Sequence, residues 1–90
     1  MKPQTELFLK QVETGNYETP EGIYPLRHIL DHVKEWCYDG WGMPEHSPLT
    51  PPQIAAALLN EAADQDEFTS HYQQSLRWLA KRLLELEDHL

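Results

Sequence analysis

The clearest pattern in the chain is a repeat of large apolar residues through its last third. They follow one another at alternating spacings of four and three positions: Tyr72, Leu76, Leu79, Leu83, Leu86 and Leu90. We call these six residues the seam. A period of about 3.5 residues places the side chains in one line along a helix, and another helix must cover that line. The pattern therefore predicts a long amphipathic C-terminal helix.

The seam can be covered within one chain or between two chains. In a parallel pair of helices, Arg82 and Glu87 would flank the seam and face each other across the interface. The small residues Ser75 and Ala80 also suit close packing inside a bundle. We expect self-association through the last helix, with an intramolecular bundle as the alternative.

Three further segments carry helical periodicity. The first runs from about Pro3 to Thr14 and is followed by Gly15, a residue typical of helix ends. The second runs from about Tyr24 to Tyr38. A third begins at Thr50–Gln53, where threonine, proline and glutamine form a capping box. Since no segment alternates as a strand, the sequence predicts a single all-α domain over residues 1–90: a small four-helix domain with a long C-terminal amphipathic helix.

Length and cysteine content agree with a small domain in a reducing compartment. The 90 residues contain no apolar run long enough to cross a membrane, and no stretch typical of a signal peptide follows Met1. The single cysteine, Cys37, cannot form an intramolecular disulfide and lies among apolar positions. We therefore expect a cytoplasmic protein with Cys37 in its core.

The charge of the chain restricts its partners. Seven Lys and Arg against fifteen Asp and Glu give a net charge of -8, which repels nucleic acids and anionic membranes. Residues 49–58 resemble the first helix of a helix-turn-helix unit, but acids at 64, 66 and 67 would open the DNA-reading helix. Neither nucleic acid nor membrane is an expected partner. A basic protein surface would be attracted to the acidic chain. A further alternative is that the chain acts as an acidic decoy for a nucleic-acid-binding protein.

Aromatic residues are concentrated between positions 36 and 43. Trp36, Trp41 and Met43 lie there, and such side chains either bind partners or cover a small core. Trp78 lies well away from the centre of the seam on a helical wheel, with Arg82 nearby. It is covered either by the first helix or a loop, or by another protein. We predict Trp36, Trp41, Met43, Trp78 and Arg82 as partner-binding residues.

One spacing is compatible with a metal site. His28, His32 and Glu35 would share one helical face, opposite the apolar one, and can present two imidazoles and a carboxylate to a metal. Solvated surface residues are the alternative.

Catalytic motifs are not evident in this sequence. It has no Gly-x-Ser-x-Gly and no glycine-rich phosphate loop, so neither an enzyme nor a cofactor is expected. The expected function is a small acidic interaction module for an unknown protein partner, self-associating into a homo-oligomer. The alternative is a small metal- or ligand-binding protein that uses the histidine face or the aromatic loop.

Overall fold

The computed structural model describes residues 2–15, 17, 26–44, 47–64 and 70–88. These residues form four α-helices and no strand, which confirms a small all-α domain with a long C-terminal helix. The helices are α1 (Pro3–Thr14), α2 (Ile29–Lys34), α3 (Pro51–Asp64) and α4 (Ser70–Leu86). A π-helix, Glu35–Gly40, continues α2 directly, and we call it the π segment. In the described part of the chain, no helix has both the length and the apolar character needed to span a bilayer.

The first helix has the predicted bounds. Gly15 ends it with a φ of 78°, and its amide donates a hydrogen bond to the Val12 carbonyl at 3.2 Å. A left-handed φ strains residues that carry a Cβ, and a Cβ at this position would also displace the side chain of Arg27. The backbone conformation therefore favours glycine here, whereas the flexible Arg27 side chain could move aside.

The predicted capping box opens α3. The Thr50 amide donates to Gln53 Oε1 at 2.9 Å, and the Gln53 amide donates to Thr50 Oγ1 at 3.4 Å. These reciprocal bonds satisfy amides that have no partner inside the helix. The sequence signal located this helix start correctly.

The second helix differs from its predicted range, residues 24–38. His28 has a φ of 59°, so the α-helix cannot continue backwards through it and begins at Ile29. Leu26 is buried ahead of the helix rather than within it, and the predicted residues before Leu26 lie outside the described ones. At the other end, the π segment carries the helix on to Gly40.

The core is built mainly where α3 packs against α4, with α1 and α2 closing its other sides. Small buried residues at this contact, including Ala55 and Ala80, let the two helix axes approach closely. The buried apolar residues are Leu9, Val12, Leu26, Ile29, Val33, Cys37, Ile54, Ala55, Ala57, Leu58, Ala62, Leu76, Leu79, Ala80 and Leu83.

The start of α1 is tied to the end of α4. The backbone amide of Lys2 donates to the Glu87 carboxylate at 3.1 Å, and its ammonium group pairs with Asp88. Gln4 donates from Nε2 to the Leu86 carbonyl at 3.1 Å, which satisfies an acceptor in the last turn of α4. These contacts join residues that are more than eighty positions apart in the sequence.

Candidate functional site

The π segment keeps one row of side chains over the core. Ile29, Val33 and Cys37 recur every four residues and are buried. In an α-helix, with about 3.6 residues per turn, a spacing of four overshoots each turn by about 40°. A π turn contains more residues than an α turn and compensates for this drift. The π segment therefore aligns Cys37 with the two buried residues before it.

The same spacing places three carboxylates on the opposite side. Asp31, Glu35 and Asp39 lie two positions after the members of the buried row, so they point away from the core and are exposed. We call these three residues the outer row. Sequence reasoning named Glu35 as a candidate metal ligand, placed Asp31 on the same exposed side, and included Asp39 in the aromatic loop, but it did not group the three acids. The four-residue spacing of the acids was the signal that could have revealed the row.

The predicted aromatic residues lie on the π segment or directly after it, and we call Trp36, Trp41 and Met43 the aromatic patch. The Trp41 amide donates to the Trp36 carbonyl at 3.0 Å, and the Met43 amide donates to the Cys37 carbonyl at 3.1 Å. These bonds fold the chain after the π segment back onto it. The Trp36 ring also stacks against His32, with 6.2 Å between ring centroids.

The members of the aromatic patch are not equally covered. Trp36 and Met43 are half-buried and pack against the core, so they partly cover it, as one of the two sequence interpretations proposed. Trp41 is different because 47% of its surface remains exposed. Within the aromatic patch, Trp36 and Met43 therefore contribute to the core, and Trp41 is exposed to solvent.

A shallow depression lies on the surface of α2 and the π segment. It has a volume of about 310 Å³ and is lined by Lys34, Glu35, Tyr38 and Asp39. The Tyr38 hydroxyl donates to the Ser47 carbonyl at 2.7 Å, which fixes one wall of the depression. Sequence reasoning did not group these four residues, although Tyr38 and Asp39 lie within the predicted aromatic loop, residues 36–43. The spacing of four positions between Lys34 and Tyr38 and between Glu35 and Asp39 was the available signal.

The thiol of Cys37 is fully buried beneath this surface. Burial raises the pKa of the thiol above its ordinary value of 9.0, because the thiolate would be poorly solvated. Since the thiolate is the nucleophile, a neutral buried thiol is a core group rather than a reactive one.

Two of the predicted metal ligands, His32 and Glu35, lie close together, and the third, His28, lies near Asp31. His28 Nδ1 lies 3.9 Å from Asp31, while His32 Nδ1 lies 4.0 Å from Glu35. Because α2 begins at Ile29, His28 is not part of a continuous helical face with the other two predicted ligands. Within the described residues, no three His, Cys, Asp or Glu side chains are grouped closely enough to hold a metal ion.

The middle of the seam lies inside the chain's own core. Leu76, Leu79 and Leu83 are fully buried, while Tyr72 and Leu86 near the two ends are partly exposed. Leu90 lies outside the described residues. The three central leucines therefore have no exposed surface to offer to a second copy of this fold.

Trp78 is partly covered by Phe8 of α1 and by Tyr17. Its ring stacks on Tyr17 with 5.9 Å between centroids and meets Phe8 edge-on at 6.1 Å. The Tyr17 hydroxyl also accepts a hydrogen bond from the Leu26 amide at 2.6 Å. Trp78 thus belongs to an intramolecular aromatic cluster, and a contact between it and another protein stays a prediction.

Arg82 is exposed on α4 and lies 3.5 Å from Glu85, one turn further along. Glu87 lies beyond the end of α4, where it accepts a hydrogen bond from the Lys2 amide of the same chain. The contact between Arg82 and Glu87 of two chains, expected from the heptad pattern, stays a prediction.

Comparison of the chain with protein-family models, curated proteins and solved structures finds no match. The geometry and charge of its surfaces therefore carry the functional proposal.

Proposed function

We propose that this chain is a small acidic, non-enzymatic interaction module, and that it binds a protein partner through the aromatic patch. The observation that carries the proposal is the 47% exposure of Trp41 next to the half-buried Trp36 and Met43. A tryptophan ring in water contributes a large apolar area when a partner covers it, and tryptophan is enriched among residues that dominate binding energy.

The other predicted contact surfaces support this choice by elimination. The central seam leucines already cover α3, and Trp78 is covered by Phe8 and Tyr17. Arg82 stays a candidate contact because it is exposed. A homo-oligomer also stays part of the proposal, but its interface would have to lie outside the three buried leucines, and light scattering over a range of concentrations tests it. A cytoplasmic location is supported by the single unpaired Cys37.

The proposal is tested by comparing partner capture by three immobilised proteins: the natural chain, Trp41→Ala and Leu59→Ala. Leu59 is the matched control, because it is a large apolar residue of α3 with 44% of its surface exposed. We expect a protein that is retained by the natural chain and by Leu59→Ala but lost with Trp41→Ala. Equal retention by all three proteins, or retention by none, would contradict the proposal.

A further inference from the structure

The helical segment that leads into the aromatic patch is rich in carboxylates. Asp31, Glu35 and Asp39 of the outer row are exposed on this segment, which also carries one fixed positive charge, Lys34. His28 and His32 lie about one ion-pair distance from Asp31 and Glu35 and offset this charge only when they are protonated. The segment from Asp31 to Met43 therefore combines an exposed indole with three exposed carboxylates.

From this combination we infer that the partner segment bound at the aromatic patch is basic and contains arginine. The inference rests on the proposed function and names the chemistry of its partner. A guanidinium group can lie flat on the Trp41 ring while it donates paired hydrogen bonds to a carboxylate. Glu35 and Asp39 line the same depression of about 310 Å³, together with Tyr38 and Lys34.

The other classes of occupant fit this surface poorly. A second copy of the chain would bring its own outer row, and two molecules of charge -8 repel each other. Nucleic acid and anionic lipid would meet the same repulsion. A basic peptide is attracted by the same field that excludes them.

The test uses a short synthetic peptide of alternating arginine and glycine, with lysine and glutamate versions of the same length. Binding to the full chain is measured by calorimetry, and backbone amide shifts in NMR spectra locate the site. We expect the arginine peptide to bind more tightly than the lysine peptide and the glutamate peptide not to bind. The shifts should cluster at residues 31–43, and affinity should fall with added salt.

Two triple variants separate a specific surface from general acidity. Asp31→Asn with Glu35→Gln and Asp39→Asn removes the outer row. The control combines Glu6→Gln and Glu13→Gln on α1 with Glu85→Gln on α4. It changes the net charge of the chain by the same amount as the outer-row variant does. We expect the outer-row variant and Trp41→Ala each to weaken arginine-peptide binding by about tenfold or more, and the control to weaken it by less than about threefold. Equal losses in the two triple variants would overturn the inference.

A competition experiment distinguishes failure of the inference from failure of the proposed function. If a Trp41-dependent partner is captured but the arginine peptide does not displace it, the inference is wrong and the interaction module stands. If no Trp41-dependent partner is captured, both are wrong. Displacement of the captured protein by the arginine peptide, but not by the glutamate peptide, supports both.

Discussion

The seam and the aromatic patch began as similar predictions, since each is a group of large apolar side chains proposed to contact a partner. In the structure, the central seam residues are fully buried by the chain itself, whereas Trp41 keeps 47% of its surface exposed. The difference follows from periodicity. A regular repeat along a long helix can be covered continuously by a neighbouring helix, whereas residues after a helix end are covered one by one. We therefore expect changes in the seam to affect stability and changes at Trp41 to affect binding.

The largest expected effect follows a charge placed in the seam. Leu83→Glu buries a carboxylate at a fully buried position with no cation provided for it. We expect the free energy of unfolding to fall by about 4 kcal/mol or more, which is much of the stability of a domain of this size. Urea unfolding followed by circular dichroism measures the loss.

The matched control for this change is Leu7→Glu on α1, where 59% of the leucine surface is exposed. We expect that variant to lie within about 0.5 kcal/mol of the natural chain. If the natural chain is instead an oligomer and Leu83→Glu converts it into a stable folded monomer, the seam lies between chains. Changes in the seam would then affect association rather than the stability of the single chain.

A smaller loss is expected in the aromatic cluster that covers Trp78. Trp78→Ala removes its stacking on Tyr17 and its edge contact with Phe8, and we expect a loss of about 2 kcal/mol because the ring is half-buried. A double-mutant cycle with Tyr17→Ala should give a coupling energy of about 1 kcal/mol. A loss below about 0.5 kcal/mol would leave the Trp78 ring available to a partner.

The sequence predicted the fold best where one local signal was sufficient. Gly15 marked the end of α1, and Thr50 with Gln53 marked the start of α3, because caps involve residues close together in the chain. The late start of α2 was missed because the left-handed φ of His28 has no clear sequence signal.

The candidate site was only partly predictable for a related reason. Trp36, Trp41 and Met43 were identified from composition, but which of them stays exposed depends on how the chain packs after the π segment. Helical periodicity assumes α geometry and does not reveal a π turn. The link between Lys2 and Glu87 depends on tertiary contact between the two ends of the described chain, which no local pattern reports.

A third expected effect is a dependence of the free energy of unfolding on pH, to which the buried Cys37 of the π segment contributes. The pKa values of Cys37, Tyr17 and Tyr72 are all raised by burial, and that of Lys2 is raised by its hydrogen bond to Asp88. In each case the folded chain holds its proton to a higher pH than the unfolded chain does. As pH rises, the unfolded chain releases the proton first, and the free energy of unfolding therefore decreases.

The decrease should begin near pH 9.0, the ordinary pKa of a cysteine thiol, and steepen near 10.0, that of tyrosine. Urea unfolding at a series of alkaline pH values measures it. Cys37→Ala serves as the test variant, because it removes the group that titrates first and should delay the onset toward pH 10.0. The same onset in both proteins would show that the thiol does not contribute.

The smallest expected effect on stability is that of Trp41→Ala, the variant that should abolish binding. The exposed ring contributes little to the core, and the hydrogen bond to the Trp36 carbonyl comes from the Trp41 backbone amide, which alanine retains. We therefore expect the free energy of unfolding to change by no more than about 0.5 kcal/mol. Acrylamide quenching should show that the natural chain has a readily quenched tryptophan emission, and that the variant has lost most of it. A stability loss above about 1 kcal/mol would show that Trp41 covers the core as Trp36 does, and the two regions would then differ in degree rather than in role.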